Sequence, residues 1–161
     1  MSVIEISGGK KLCGEVRVQG SKNAVLPILA ATLLSGEESI IHNCPYLADV
    51  RAAISIIERL GGKAWFSEGT VIVNTADVHK TDIPNDLMGS MRSSVLFLGP
   101  MLSRLGRAEV SQPGGCAIGV RPIDLHIKAF RNLGVNIEET GGYMYCSADK
   151  VRPGKVLMQF L

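Results

Sequence analysis

Neither sign of charge is in clear excess in this sequence, and aromatic residues are few. Lys and Arg together number 17 against 15 Asp and Glu, which gives a formal net charge of +2, and there is a single Trp. Proteins that bind nucleic acid concentrate basic residues in runs or on one face, whereas no basic run occurs here. The composition therefore argues against a nucleic-acid partner, and any anion that the chain binds is expected to be small.

Long apolar runs and clustered cysteines are also missing. The longest apolar run, over residues 95–102, is interrupted by glycine and proline, and the N-terminal MSVIEISGGKKL lacks the apolar core of a signal peptide. Cys13, Cys44, Cys116 and Cys146 lie far apart, without a CxxC or Cys/His cluster that could bind zinc. We therefore expect a cytoplasmic protein with free thiols, no metal site and no membrane partner.

An internal repeat is present instead. Two apolar segments align at an offset of 70 residues, which pairs Gly36 with Gly106, and two later segments align at an offset of 73, which pairs Gly61 with Gly134. Three extra residues therefore enter the second copy, around residues 114–120. Chance similarity between two small αβ units is the alternative interpretation.

Each copy predicts the same series of elements. Apolar helices are expected at residues 24–34 and 93–105, and second helices, each with an acidic residue near its start, at 49–60 and 124–133. Because the first pair is hydrophobic nearly all round, we expect burial on every side. A strand precedes each second helix and a hairpin follows it. The predicted fold is α/β, built from two βαβαββ repeats with central helices and outer sheets.

Three short segments carry residues that suit chemistry on an anion. In GSKNAVLP, Lys22 and Asn23 start a helix, where free N–H groups and the helix dipole favour phosphate or carboxylate. In MRSSVLFLGP, Arg92 occupies the matching place in the second repeat, and a guanidinium can bind two oxygens of an anion. In PGGCAIGVRPIDLHI, Cys116 stands among glycines rather than apolar neighbours, which is typical of a presented thiol.

Together and in this order, the three segments resemble the UDP-N-acetylglucosamine 1-carboxyvinyltransferase family of enolpyruvyl transferases. The resemblance implies an inside-out domain of such repeats, of which this chain would hold two, at about residues 21–90 and 91–161. It also implies that residues 1–20 form short strands that belong to a second domain, so that each site here is part of a larger one. Unpaired strands left in this way are expected to favour self-association.

The resemblance assigns a role to each site residue. Cys116 would be the proton donor and the nucleophile trapped by fosfomycin, and Lys22 and Asn23 would contact phosphoenolpyruvate. Arg92 would lie with the substrates. The uridine part of UDP-N-acetylglucosamine would be held by Arg121, Pro122, Ile123, Asp124 and Leu125.

The implied reaction transfers enolpyruvyl from phosphoenolpyruvate to the 3-hydroxyl of UDP-N-acetylglucosamine in peptidoglycan precursor synthesis, without a cofactor. A non-catalytic module that binds a nucleotide sugar or phosphate is the alternative from another class. From the residues alone, Lys22, Asn23 and Arg92 could be solvated, and Asp124 could merely start its helix. For His126, a packed position or a supporting position behind the site is favoured over a catalytic role, and a structural role is favoured for Cys44.

Overall fold

The chain contains two successive units of helices and strands, seen in a computed structural model that describes residues 3–111 and 122–157. The first unit consists of helix α1 (Lys22–Ala31), strand β1 (Glu38–Ile41), helix α2 (Ala48–Arg59), strand β2 (Lys63–Ser67) and strand β3 (Thr70–Asn74). A 3₁₀ turn, Thr32–Leu34, extends α1.

The second unit follows a short connection, strand β4 (Asp82–Ile83) and helix α3 (Asn85–Ser90). It consists of a 3₁₀ segment (Arg92–Phe97), helix α4 (Leu98–Leu105), strand β5 (Arg107–Ser111), helix α5 (Asp124–Asn132), strand β6 (Asn136–Thr140) and strand β7 (Tyr143–Ser147). The predicted order of first helix, strand, second helix and hairpin is therefore observed in both units.

The three strands of the first sheet and the last three strands of the second are connected in the same order. The first has the order β1-β3-β2 and is antiparallel throughout, while the second has the order β4-β5-β7-β6, in which only β4 pairs in parallel. In each unit the strand after the first helix pairs with the last strand of the hairpin. The α/β fold predicted from the repeat is confirmed.

The helices and the inner faces of both sheets form one hydrophobic core. Its fully buried members come from both units and include Leu29, Leu33, Ile56, Ile57, Val71, Phe97, Met101 and Met144. The guanidinium of Arg104 links the units, since its Nη1 donates a hydrogen bond of 2.7 Å to the carbonyl oxygen of Leu33. The Leu33 carbonyl lies in the last turn of the first helix, where backbone oxygens lack intrahelical donors.

Two details of the predicted helices are wrong. Helix α1 is not buried on every side, because Ala24, Pro27, Ile28 and Ala31 form an exposed face. The predicted second apolar helix is divided into a 3₁₀ segment and an α-helix at Leu98. Pro100 favours this division, since it lacks an N–H and its ring clashes with a helical carbonyl four residues earlier.

The short strands expected at the N-terminus are not formed within residues 3–19, where the structure contains no helix or strand and no neighbouring strand is present to pair with them. The apolar side chains of this segment, Val3, Ile4, Ile6, Val16 and Val18 among them, are each more than four-fifths exposed. They are therefore available to another sheet or another molecule. Within residues 3–111 and 122–157, no helix is long and apolar enough to cross a membrane.

Candidate functional site

Helix α1 begins with its first N–H groups uncapped by a side chain. Ser21 occupies the N-cap in extended conformation (φ −78°, ψ 127°) but makes no side-chain capping hydrogen bond. Lys22 and Asn23 form the exposed first turn. Uncapped N–H groups and the positive end of the helix dipole attract an anion to this position.

The equivalent position in the second unit is the corner at Met91. Met91 is extended (φ −151°, ψ 149°), and Arg92 opens the 3₁₀ segment with its side chain exposed. Behind it, the buried Ser94 hydroxyl donates to the carbonyl oxygens of Met88 and Met91, both at 2.8 Å. These bonds fix the backbone from which Arg92 projects.

The two helix starts meet at one cavity of about 590 Å³. Its polar lining comes from Lys22, Asn23, Asp49, Ser90, Arg92, Ser93 and His126. The structure thus brings together Lys22, Asn23 and Arg92, as the sequence predicts, in a cavity large enough for a small phosphorylated ligand. His126 is exposed at this cavity, so it is not packed in the core, and a supporting position beside the site stays a prediction.

Asp49 is the lining residue that the sequence analysis missed. Its Oδ2 atom lies 2.8 Å from Nζ of Lys22, and the two side chains are 29% and 46% exposed. The only sequence signal was an acidic residue near the start of a second helix, which by itself indicates helix initiation. The ion pair places a carboxylate beside the ammonium on the cavity wall.

The predicted uridine-binding stretch lies on a neighbouring surface. Pro122, Ile123 and Asp124 line a separate cleft of about 490 Å³, and Leu125 is half-buried in the first turn of α5. His126 follows Leu125 in the same turn and lines the cavity of Lys22 and Arg92, so the stretch ends at the edge of that cavity. Cys116 and Arg121 lie outside the described residues.

The buried thiols of Cys44 and Cys146 have raised pKa values, whereas a reactive thiol needs a lowered one. Burial raises the pKa of Cys44, and its Sγ donates to the carbonyl oxygen of Ile41 at 3.2 Å. Burial, together with the nearby Glu139 carboxylate, raises the pKa of Cys146 to about 11. Both thiols are therefore protonated at neutral pH and poorly nucleophilic. Cys44 is packed, which agrees with the structural role favoured for it.

No metal centre is visible over residues 3–111 and 122–157, where no three His, Cys, Asp or Glu side chains are grouped to hold an ion. The polar groups of the cavity are an ammonium, a guanidinium, an amide, hydroxyls, an imidazole and the Asp49 carboxylate, which is paired with the Lys22 ammonium. This set suits anionic oxygen atoms better than a cation.

The sequence is similar to curated carboxyvinyltransferases. It is 49% identical over 156 residues to UDP-N-acetylglucosamine 1-carboxyvinyltransferase 2 of Caldanaerobacter subterraneus subsp. tengcongensis, covering 97% of this chain and 37% of that protein. It is 44% identical over 158 residues to the UDP-N-acetylglucosamine 1-carboxyvinyltransferase of Wolinella succinogenes, covering 98% and 38%. The chain thus spans somewhat more than a third of the length of these relatives.

Solved structures and a family pattern lead to the same group. The enolpyruvyl transferase NikO from Streptomyces tendae superposes with a TM-score of 0.78 at 25% identity, over 91% of this chain and 32% of that one. EPSP synthase from Acinetobacter baumannii shares the fold, with a TM-score of 0.60 at 16% identity. The sequence pattern of EPSP synthase (3-phosphoshikimate 1-carboxyvinyltransferase) matches residues 6–159. The chain belongs to the enolpyruvyl transferase family that includes EPSP synthase and UDP-N-acetylglucosamine 1-carboxyvinyltransferase.

Proposed function

We propose that this chain carries one wall of the active site of an enzyme that transfers enolpyruvyl from phosphoenolpyruvate to the 3-hydroxyl of UDP-N-acetylglucosamine. The main support is the convergence of two helix starts on one cavity with Lys22, Asn23 and Arg92 in its lining. The names of relatives at 44% to 49% identity supply the substrate pair. Cytoplasmic location and a part in peptidoglycan synthesis belong to the same proposal.

The reaction proceeds by addition and elimination. A proton adds to C3 of phosphoenolpyruvate, the sugar oxygen attacks C2 and loses its proton, and a tetrahedral intermediate forms. Cleavage of the C2–O bond then releases phosphate, and loss of a proton from C3 restores the double bond. Cys116 is the proposed donor of the first proton: it stands in a glycine-rich stretch five positions before Arg121, and a thiol under the influence of positive charge exchanges protons readily at neutral pH.

The described residues serve this chemistry by binding the anionic oxygens. Lys22 supplies a compact positive charge at the start of α1, and Asn23 supplies a neutral amide donor beside it. The planar guanidinium of Arg92 can donate two parallel hydrogen bonds to a phosphate or carboxylate. Fixed donors of this kind stabilise charge as it develops in the transition state.

Recognition of the nucleotide is assigned to the stretch from Arg121 to Leu125. Asp124 and backbone groups can pair with a uracil edge, while Arg121 suits a diphosphate. Pro122 and Leu125 offer apolar surface to the base or ribose. The cleft lined by Pro122, Ile123 and Asp124 supports this assignment, since it lies beside the anion-binding cavity rather than within it.

Substitution of Lys22 tests the phosphoenolpyruvate part of the proposal. Lys22→Ala removes a charge-assisted hydrogen bond, and we expect it to weaken phosphoenolpyruvate binding by about tenfold or more. Titration calorimetry with UDP-N-acetylglucosamine present measures the dissociation constant. The matched control is Lys63→Ala, which removes a lysine from the exposed Lys63–Asp77 ion pair and should leave binding unchanged. Equal affinity in both variants would argue against the assigned site.

Covalent labelling tests the assignment of Cys116. The Cys116 thiolate is expected to attack an epoxide carbon of fosfomycin, whereupon the C–O bond opens and the new alkoxide takes a proton. Peptide mapping by mass spectrometry should find the adduct on Cys116 and not on Cys44 or Cys146, whose raised pKa values keep them protonated. Preferential modification of Cys13, which is also exposed, would contradict the assignment.

Self-association through the N-terminal segment is a further part of the proposal. Val16 and Val18 alternate with polar residues and are exposed, so the backbone of this segment can add to a sheet edge of another molecule while the two valines cover apolar surface. Val18→Lys should lower the association constant measured by sedimentation equilibrium. Leu157→Lys, at another exposed apolar position, is the control. A monomeric wild-type chain at high concentration would rule out this association.

A further inference from the structure

The Lys22 ammonium forms an ion pair with Asp49, a residue to which the proposed reaction assigns no role. Asp49 lies in the first turn of α2 and reaches across to the first turn of α1, where its Oδ2 is 2.8 Å from Nζ of Lys22. We propose that Asp49 is a positioning residue that holds the Lys22 ammonium at the cavity for the anionic substrate. This inference rests on the proposed function.

The backbone around Gly20 sets the distance between the two helices. A Cβ atom at Gly20 would lie 1.8 Å from the carbonyl oxygen of Asn43, so only glycine allows this close approach. Asn43 itself has a left-handed φ of 56° and precedes α2 by a short loop. The contact fixes the start of α1 beside the start of α2 and thereby brings Lys22 within reach of Asp49.

The ion pair leaves the ammonium able to bind a ligand. An ammonium has three N–H donors, and a single Asp49 oxygen occupies one of them. A free lysine side chain loses considerable rotamer entropy when it is fixed, so a carboxylate that fixes it in advance lowers the entropic cost of binding. Asp49 also lies in the first turn of α2, where the positive end of the helix dipole favours a carboxylate.

A double-mutant cycle tests this role, with phosphoenolpyruvate as the probe and the Asn23 amide resonance, which every variant retains, as the readout. Asp49→Ala should weaken binding by roughly fivefold, whereas the same substitution in a Lys22→Ala background should not weaken it further. Such coupling is not expected from a merely structural residue. Asp49→Glu should recover part of the affinity. Asp77→Ala, which breaks the exposed pair with Lys63, is the control.

The outcomes separate this inference from the proposed function. Tighter binding after Asp49→Ala would show that the carboxylate repels the ligand and would overturn the inference, as would equal weakening in both backgrounds. In either case a wild-type chain that binds through Lys22 leaves the proposed function standing. A wild-type chain that does not bind phosphoenolpyruvate would overturn both. Urea unfolding of each variant identifies any loss that comes from the fold.

Discussion

The purified chain is expected to release no phosphate from a mixture of phosphoenolpyruvate and UDP-N-acetylglucosamine. It spans 37% to 38% of the length of its relatives, and the residues proposed to bind the anion face open solvent. The Lys22 side chain is 46% exposed and Arg92 is also exposed. Water weakens each electrostatic contact that a closed, water-excluded site would strengthen, so binding by this wall should not be accompanied by turnover.

The comparison for this experiment is the full-length carboxyvinyltransferase of Caldanaerobacter subterraneus subsp. tengcongensis, assayed in parallel for phosphate release. The relative should turn over, and this chain should give the rate of the blank. Phosphate release by the chain that disappears in Cys116→Ala would contradict the expectation. It would mean that the described wall and the residues near Cys116 suffice for catalysis.

Truncation of Phe97 should produce the largest loss of stability among single substitutions in the core. Phe97 is 1% exposed and lies at the junction between the 3₁₀ segment and α4. Phe97→Ala leaves a cavity in a close-packed interior and is expected to lower the free energy of unfolding by about 3–5 kcal/mol. Since single domains are stable by only about 5–15 kcal/mol, much of the chain should be unfolded in moderate urea.

Trp65→Ala is the matched aromatic control, because Trp65 is 47% exposed on the outer face of the first sheet. A surface substitution of this kind should change the free energy of unfolding by about 1 kcal/mol or less. Urea denaturation followed by far-ultraviolet circular dichroism measures both variants. Equal losses in the two variants would show that the core described around Phe97 is wrong.

The parts of the fold that depend on local backbone preference could be predicted from the sequence. Gly61, Gly106 and Gly134 have positive φ angles of 103°, 70° and 86°, as expected for residues that end a helix. The two hairpins turn at residues 68–69 and 141–142, where the sequence places glycine. Helix α5 starts at Asp124 and α2 starts one residue before Asp49, close to the predicted positions.

Features that depend on tertiary contacts could not be predicted in this way. Because apolar residues occur on every side of α1, the sequence does not show which face of the helix packs against the core. Ile28 is in fact exposed. The pairing of Lys22 with Asp49 depends on the close approach of Gly20 to Asn43, which no local pattern contains. For the same reason the resemblance identified Lys22 but not the carboxylate that contacts it.

The most direct test of the assigned site is an amide chemical-shift map of the chain during titration with UDP-N-acetylglucosamine and then phosphoenolpyruvate. We expect the largest shifts at Lys22, Asn23 and Arg92, with nucleotide-dependent shifts at Asp124 and Leu125. Another cleft of about 370 Å³ lies against the second sheet, lined by Arg107 and Glu138 among others. Shifts confined to that cleft, with Lys22 and Arg92 unaffected, would show that the substrates do not bind at the convergence of the two helix starts.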